Sequence, residues 1–155
     1  MRAIGILLSV TLPALALGQP APAQFTTSGA FFALSVADLA ASTRWYSEKL
    51  GLRIVMRSVN GVAVNVLEGG GLIVELVQRD GARSPRDAVP ADSPPDLVRG
   101  IFKVGMIVED FDGTVARLRA KGVEIVLGPY PPTPEQRANM LVKDNAGNLI
   151  QFFGK

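Results

Sequence analysis

Apolar and polar residues alternate along two short stretches of the chain, and each stretch leads into a helical pattern. "AFFALSVADLA" begins at Ala30, and "GIFKVGMIVEDFD" begins at Gly100. In each stretch every second residue is apolar, which predicts a strand with one face against a core. The apolar positions are Phe32, Leu34 and Val36 in the first stretch, and Val104, Met106 and Val108 in the second.

A helix is predicted after each of these strands. Asp38 and Asp110 are 72 residues apart, and both are suited to cap a helix N-terminus. Gly51 and Gly122 follow the two helical patterns as C-terminal glycines. Any two strand-helix units share some of these features, but the agreement of cap, helix face and terminal glycine favours an internal repeat. At the same spacing of 72 residues the helix faces coincide as well: Leu39 with Phe111, Thr43 with Val115 and Tyr46 with Leu118.

Three β-rich segments follow each predicted helix, so each copy is predicted to fold as β-α-β-β-β. The first copy has "LRIVMRSV", "VAVNVL" and "GLIVELVQ", and Glu68-Gly69-Gly70 is the hairpin signal between the last two. The second copy has "VEIVLG", "ANMLVKD" and "NLIQFFG", with Asn145-Ala146-Gly147 in the corresponding place. The two modules span about 30–79 and 100–154. The proline-rich segment 80–99 is predicted to be a loop or lid between them.

The face of each sheet that turns away from its helix carries the candidate functional residues. In the first module this face holds Phe31 on the first strand and Glu75 on the last strand. In the second module the corresponding strands hold Lys103 and Gln151. Four positions, two from each module, are therefore predicted to lie on one face of the paired sheets.

Other polar and aromatic residues are weaker candidates. Hairpin register leaves open the direction of three side chains on or near the third strands, which are Asn65, Arg137 and Asn139. Trp45 on the first helix is predicted to pack against the protein rather than stack on a ligand. Tyr130 and the segment "PYPPTP" are predicted to form a surface loop, with a rim over the open face as the alternative.

The first 23 residues have the three-part pattern of a secretory signal peptide. Arg2 precedes an apolar run, and "APA" ends at Ala23, where cleavage is predicted. A membrane anchor is the alternative, but the apolar run is short for a bilayer and Pro13 interrupts it. We therefore expect residues 24–155 to be a secreted or periplasmic bacterial domain that is free of the membrane after cleavage.

The amino-acid composition limits which partners the protein could bind and which cellular compartment it fits. The chain has 155 residues, and its 48% hydrophobic content is enough for the core of one domain. Removal of Arg2 with the signal peptide leaves 15 basic and 14 acidic residues and no basic run, which gives no electrostatic case for nucleic acid. Cysteine is absent, so no disulfide can form, and this fits a bacterial periplasm. Histidine is absent too.

The pattern resembles the vicinal oxygen chelate superfamily, which includes glyoxalases, bleomycin-resistance proteins and ring-cleaving dioxygenases. The segments that carry the resemblance are "ALSVADLAASTRWYSEKLGL", "VGMIVEDFDGTVARLRAKGVEI" and "VKDNAGNLIQFF", and it covers residues 30–154. The resemblance implies an α+β fold in which two β-α-β-β-β modules form an open, cup-like mixed sheet with helices on its outer face. Bleomycin-resistance-type relatives commonly act as dimers, so the resemblance also implies a homodimer as one assembly.

The resemblance also implies which residues stand where the family binds a metal ion. Phe31 and Lys103 replace two histidines, Gln151 replaces a glutamate, and Glu75 keeps a carboxylate. Because an ammonium group repels a cation, and because one carboxylate is too few for nickel, zinc or iron, we expect no metal and no cofactor. The alternative is a hard-ion site built from Glu75, Gln151 and backbone oxygens.

Three functions remain open for a metal-free cup. The main prediction is an exported protein that binds a small organic molecule with Phe31, Glu75, Lys103 and Gln151. The second is a metal-independent lyase or isomerase of glyoxalase-like type, in which Glu75 is the base and Lys103 holds an oxyanion or carboxylate. The third is a partner-binding module that has lost its ligand site, with Glu75 and Lys103 as a structural ion pair.

Overall fold

Eight strands and two helices make up the described part of the chain, in the order β-α-β-β-β, repeated once. The structure is a computed structural model that describes residues 30–57, 61, 63–84, 87, 89–94 and 100–155. The predicted α+β fold of two β-α-β-β-β modules is confirmed, while the predicted signal peptide, residues 1–23, lies outside the described residues. The first module contains β1 (Ala30–Ser35), α1 (Leu39–Leu50), β2 (Arg53–Arg57), β3 (Ala63–Gly69) and β4 (Leu72–Gln78). The second contains β5 (Lys103–Val108), α2 (Phe111–Ala120), β6 (Glu124–Tyr130), β7 (Asn139–Lys143) and β8 (Leu149–Gly154).

An aspartate caps each helix at the position that the sequence predicts. The carboxylate of Asp38 accepts a hydrogen bond from the backbone N–H three residues later at 2.8 Å, and Asp110 makes the same contact at 2.8 Å. These bonds satisfy N–H groups that have no partner inside the helix. Gly51 ends α1 with φ 75°, and Gly122 follows α2 with φ 66°. Glycine takes this left-handed conformation without steric strain, so both helices end where a glycine allows the chain to turn.

Each module forms its own four-stranded mixed sheet. The strand orders are β1-β4-β3-β2 and β5-β8-β7-β6. The pairs β1-β4 and β5-β8 are parallel, and the other pairs are antiparallel. The outer strands β2 and β6 both show register shifts. β6 runs through Pro129 to Tyr130, beyond its predicted end at Gly128, because an edge strand tolerates a residue that donates no hydrogen bond.

The predicted hairpin between β3 and β4 is confirmed, but its turn is Gly70-Gly71 and not Glu68-Gly69-Gly70. Gly69 is still paired, opposite Leu72. Gly70 and Gly71 have φ values of 58° and 81°, as a two-residue hairpin turn with two left-handed residues requires. Three consecutive glycines allow the turn to form at more than one position. The register is decided by the pairing of β3 with β4, because this pairing places apolar residues opposite each other on the helix side.

The helices cover one face of each sheet, and both modules contribute to one continuous core. α1 lies against β3 and β4, whereas α2 lies against β6 and β8. Within the described residues, no helix is long and apolar enough to cross a membrane. Because the helix-side faces share this core, the opposite faces of the two sheets point away from it. The core includes Tyr46, Leu67, Val74 and Leu76 from the first module, and Leu118, Met140, Ile150 and Phe152 from the second.

The modules meet along a contact that we call the seam, formed by α1 with α2 and with the turn between β7 and β8. Lys49 Nζ donates to the carbonyl oxygen of Lys121, and Lys121 Nζ donates to the carbonyl oxygen of Lys49 at 3.2 Å. The two lysines are 72 residues apart, the spacing that separates the two helix-capping aspartates. Farther along the seam, Asn145 Nδ2 donates to Ser42 Oγ at 3.2 Å.

Candidate functional site

The four candidate positions lie on the open faces, by which we mean the sheet faces opposite the helices. Phe31 lies on β1, two residues before the residue that pairs with Glu75 of β4. Lys103 lies on β5, two residues before the residue that pairs with Gln151 of β8. The structure therefore brings Phe31 together with Glu75 on one open face, and Lys103 together with Gln151 on the other, at matching register positions.

Large apolar side chains are exposed on and around the open faces. Phe31 is 65% exposed and Ile107 is 62% exposed. Clustered apolar side chains of this size in contact with water are typical of a surface that binds a ligand or another protein. Further exposed apolar residues lie on β2, β4 and β6 or immediately before β5, namely Val55, Met56, Ile73, Ile101, Phe102, Val126, Leu127 and Tyr130.

Glu75 and Lys103 do not contact each other in the part of the chain that the structure describes. Glu75 is half-buried and Lys103 is exposed. The Lys103 ammonium lies 5.4 Å from the centre of the Phe102 ring, within the range of a cation–π contact. Neither charge takes part in any of the ion pairs found among the described residues. Both are therefore available to a ligand or a partner.

The four positions do not fit a transition-metal centre. Phe31 has no donor atom, and the Lys103 ammonium would repel a cation. Glu75 offers one carboxylate and Gln151 one amide, whereas nickel, zinc and iron sites use imidazole, thiolate or several carboxylates. Within the described ranges, no three histidine, cysteine, aspartate or glutamate side chains form a group that could hold a metal ion. The hard-ion alternative would need Glu75 and Gln151, which lie on different sheets of the chain.

The structure resolves the directions of the polar residues near the third strands. Asn65 points to the helix side, where its Nδ2 donates to Thr43 Oγ1 at 2.8 Å. Asn139 has the strand parity of the open face, but it is buried, and its Nδ2 donates to the carbonyl oxygen of Arg137 at 3.1 Å. Arg137 precedes β7 and lines a groove beside α2. None of these three side chains lies exposed beside the four candidate positions.

A buried contact between the modules was missed by the sequence analysis. Tyr46 donates its hydroxyl hydrogen to Asp144 Oδ2 at 3.0 Å, across 98 residues of sequence. Burial raises the pKa of the Tyr46 hydroxyl far above its usual value, and the charge and hydrogen bond of Asp144 raise it further. Asp144 also accepts hydrogen bonds from the backbone of Ala146 and from the backbone and side chain of Asn148. The sequence "DNAGN" signals this turn, but nothing in it points to Tyr46.

Three cavities in the described chain lie away from the candidate positions. One of about 540 Å³ is at the N-terminal end of α2, and one of about 520 Å³ is at the N-terminal end of α1, beside Arg44 and Arg57. The third, of about 350 Å³, lies in the seam. None of these three cavities is lined by Phe31, Glu75, Lys103 or Gln151.

Comparison with known proteins places this geometry in a family. Residues 30–152 match the family model of the Glyoxalase/Bleomycin resistance protein/Dioxygenase superfamily. An uncharacterised protein of Mycolicibacterium smegmatis is 32% identical over 120 residues, which cover 77% of this chain and 87% of that protein.

Solved structures with the same fold include a glyoxylase/bleomycin resistance protein/dioxygenase domain from Frankia sp. EAN1pec. It has a TM-score of 0.63 and 19% identity, and the match covers 85% of this chain and 93% of that one. TnmS3, an antibiotic binding protein from Streptomyces sp. CB03234, has a TM-score of 0.57 and 23% identity, with 83% of this chain and 96% of that one covered.

Proposed function

The chain belongs to the Glyoxalase/Bleomycin resistance protein/Dioxygenase superfamily, and on this premise we propose that it binds a small organic molecule against its open sheet faces. The observation that carries the proposal is the exposure of Phe31, one of the four positions where the family resemblance expects a site, and of Ile107 on the same face as Lys103. Apolar walls with a few converging polar groups are typical of small-molecule sites. TnmS3 supports the proposal, since it is an antibiotic binding protein with this fold.

The proposed binding uses no transition metal. Three of the four family ligand positions carry side chains that do not bind nickel, zinc or iron, so the charged groups act directly on the molecule. Lys103 would hold an anionic or carbonyl oxygen, while Glu75 would accept a hydrogen bond. The lyase or isomerase alternative makes the further demand that Glu75 removes a proton from the bound molecule, whereas binding needs only the exposed apolar face and the two charges. Binding is therefore the better-supported function.

A second copy of the chain completes the proposed site. The open faces point away from the shared core, so one chain offers two half-sites in different directions. One half-site carries the Glu75 carboxylate and the other the Lys103 ammonium, which are complementary across a two-fold dimer. Among the strands that the structure describes, β1 and β5 are edge strands, each with an unpaired side beside an exposed apolar face. The exposed apolar side chains of the open faces also fit a partner-binding module. A second, identical chain as the partner accounts for this exposure.

A charge exchange tests this assembly. Glu75→Lys and Lys103→Glu each place like charges across the dimer, so each should weaken dimerisation about tenfold or more. The double variant Glu75→Lys/Lys103→Glu restores opposite charges in both contacts and should recover most of the affinity. The dimer dissociation constant is measured by sedimentation equilibrium, with Lys155→Glu, on an exposed ion pair away from the open faces, as the control.

Two results would contradict the assembly. A wild-type chain that stays monomeric at high concentration lacks the second half-site. If the losses of dimer affinity in the two single variants add up in the double variant, the two charges do not face each other.

Native mass spectrometry of the protein from its host reports bound small molecule, metal and stoichiometry together. We expect a bound organic molecule that Phe31→Ser loses, and a stoichiometric transition metal would exclude the proposed metal-free site.

Export of the protein is part of the proposal. The support is the signal-peptide pattern of residues 1–23, with its basic start, apolar run and "APA" end. Amino-terminal sequencing of protein from the periplasmic fraction should begin at Gln24. A chain that retains Met1 and is recovered from the cytoplasm would refute export.

A further inference from the structure

The seam cavity lies on the helix side of the molecule, away from the open faces. It has a volume of about 350 Å³, within the range of small-molecule sites. The first module contributes the end of α1 and the β3-β4 turn, whereas the second contributes α2 and parts of β5 and β8. A molecule in this cavity would contact both modules at once, and none of the residues proposed for the dimeric site would touch it.

The walls of the seam cavity are apolar but incompletely covered. Leu52, Leu118 and Phe152 are buried behind it as part of the core. Four further apolar side chains that line it are only half-buried, although they pack against the same core: Leu50, Leu72, Met106 and Val108. Their remaining surface faces a space that is wide enough for a ligand. An apolar chain or ring placed there would remove this surface from water, which favours binding.

The polar lining of the seam cavity has one sign of charge. Lys49, Arg117 and Lys121 line it, and no acidic residue does. Each lysine ammonium donates one hydrogen bond to a backbone carbonyl, which leaves two further N–H donors on each. The Arg117 guanidinium donates to Asp110 Oδ2 at 3.3 Å and to Thr114 Oγ1 at 3.0 Å, but the side chains of Arg117 and Asp110 are more than half exposed, so water competes with these contacts and they hold the guanidinium weakly. Three cations can therefore turn to one anionic group.

We infer that the seam cavity binds an amphipathic anion, a molecule with an apolar chain or ring and one carboxylate or sulfate group. The apolar end lies against Leu72 and Met106, and the anion lies at Lys49, Arg117 and Lys121. Such a ligand satisfies both halves of the lining, whereas a neutral apolar molecule leaves the three cations unmatched and a cation is repelled by them.

Octanoate is the probe that tests this site, and octan-1-ol is its neutral counterpart. Titration of the isotope-labelled mature chain, followed by ¹H–¹⁵N correlation spectra, should shift the amides of Gly51, Gly70 and Thr114 saturably with octanoate. Octan-1-ol should bind about tenfold more weakly. Arg117→Gln should weaken octanoate about tenfold, as expected for the loss of one charge-assisted hydrogen bond. Arg119→Gln is the matched control, because Arg119 is exposed on the same helix and does not line the cavity.

Lys121→Gln provides a second test of the same prediction, and it should also weaken octanoate while leaving octan-1-ol unchanged. The inference is overturned if octanoate causes no saturable shift of the seam amides, or if the alcohol binds as tightly as the anion. Equal effects of Arg117→Gln and Arg119→Gln would also overturn it. Shifts confined to Phe31, Ile107 and their neighbours would place the probe on the open faces and remove the seam site.

Discussion

Among single residues, Asp144 joins parts of the molecule that are far apart in sequence. Its carboxylate is buried, and it accepts hydrogen bonds from Tyr46, Ala146 and Asn148. A buried carboxylate needs such donors, because its charge has lost the stabilisation of water. The donors within the turn fix the β7-β8 connection. The donor from α1 fixes that connection against the first module.

Tyr46→Phe tests the contribution of this contact. The variant removes one hydrogen bond to a charged group, so the free energy of unfolding at neutral pH should fall by about 1–3 kcal/mol. Tyr130→Phe is the control, since its ring is exposed on an edge strand and its hydroxyl makes no hydrogen bond among the described residues. Urea denaturation measures both. Equal stability of Tyr46→Phe and wild type would show that the contact contributes little.

Tyr46 also makes the free energy of unfolding depend on pH in the alkaline range. Because the pKa of Tyr46 is raised in the folded chain, the unfolded chain releases this proton first as the pH rises above about 10. The contribution of Tyr46 is therefore present below pH 10 and decreases above it, by up to about 1.4 kcal/mol per pH unit. All other groups are the same in wild type and Tyr46→Phe, so the difference between the two proteins isolates this effect. A difference that stays constant from pH 8 to pH 11 would contradict it.

Among the elements, the β3-β4 hairpin depends on the left-handed backbone of its two glycines. A Cβ atom at Gly70 would meet nothing within 4 Å, so a substitution there tests the backbone alone. Gly70→Ala should lower the free energy of unfolding by about 1–2 kcal/mol, because alanine is strained at positive φ. Gly70→Asn should lower it by less, since asparagine tolerates this conformation. Thermal denaturation measures the stabilities of the two variants. Equal stability of Gly70→Ala and Gly70→Asn would contradict the prediction.

The elements were predictable from the sequence where the signal is local. Alternation in β1 and β5, and aspartates at the two helix starts, depend on neighbours within a few residues. The glycine turn was misplaced because strand pairing decides among three adjacent glycines. The Tyr46–Asp144 contact was missed because it joins distant modules. The sequence also put Phe31, Glu75, Lys103 and Gln151 on open sheet faces, but parity within a strand does not report how two sheets face each other.

At the scale of the whole molecule, a rebuilt metal site tests whether those four positions converge. Phe31→His, Lys103→His and Gln151→Glu, with Glu75 unchanged, give two imidazoles and two carboxylates. The triple variant should bind nickel or zinc, at an affinity reduced about 10–100-fold by missing groups that orient the ligands. In the proposed dimer each ion takes ligands from two chains, so metal should also tighten dimerisation. Calorimetry and sedimentation measure the two effects.

The wild-type chain under identical conditions is the control for the metal experiment, and it should take up no nickel or zinc. Adding Glu75→Gln to the triple variant should abolish the binding that was gained. If the folded triple variant binds no divalent metal, the four positions do not converge in any assembly of the chain. If it binds metal as a monomer, the proposed second copy is unnecessary.

The reciprocal bonds between Lys49 and Lys121 have a consequence for how the chain holds together. The side chain of each lysine donates a hydrogen bond to the backbone carbonyl oxygen of the other. Two separate, identical half-chains related by a two-fold axis would make the same pair of contacts. The connection between Gln78 and Lys103 then acts as a tether that keeps one module at high local concentration beside the other. A chain cut within that connection would stay paired as two fragments, held by the seam and by Tyr46 on Asp144.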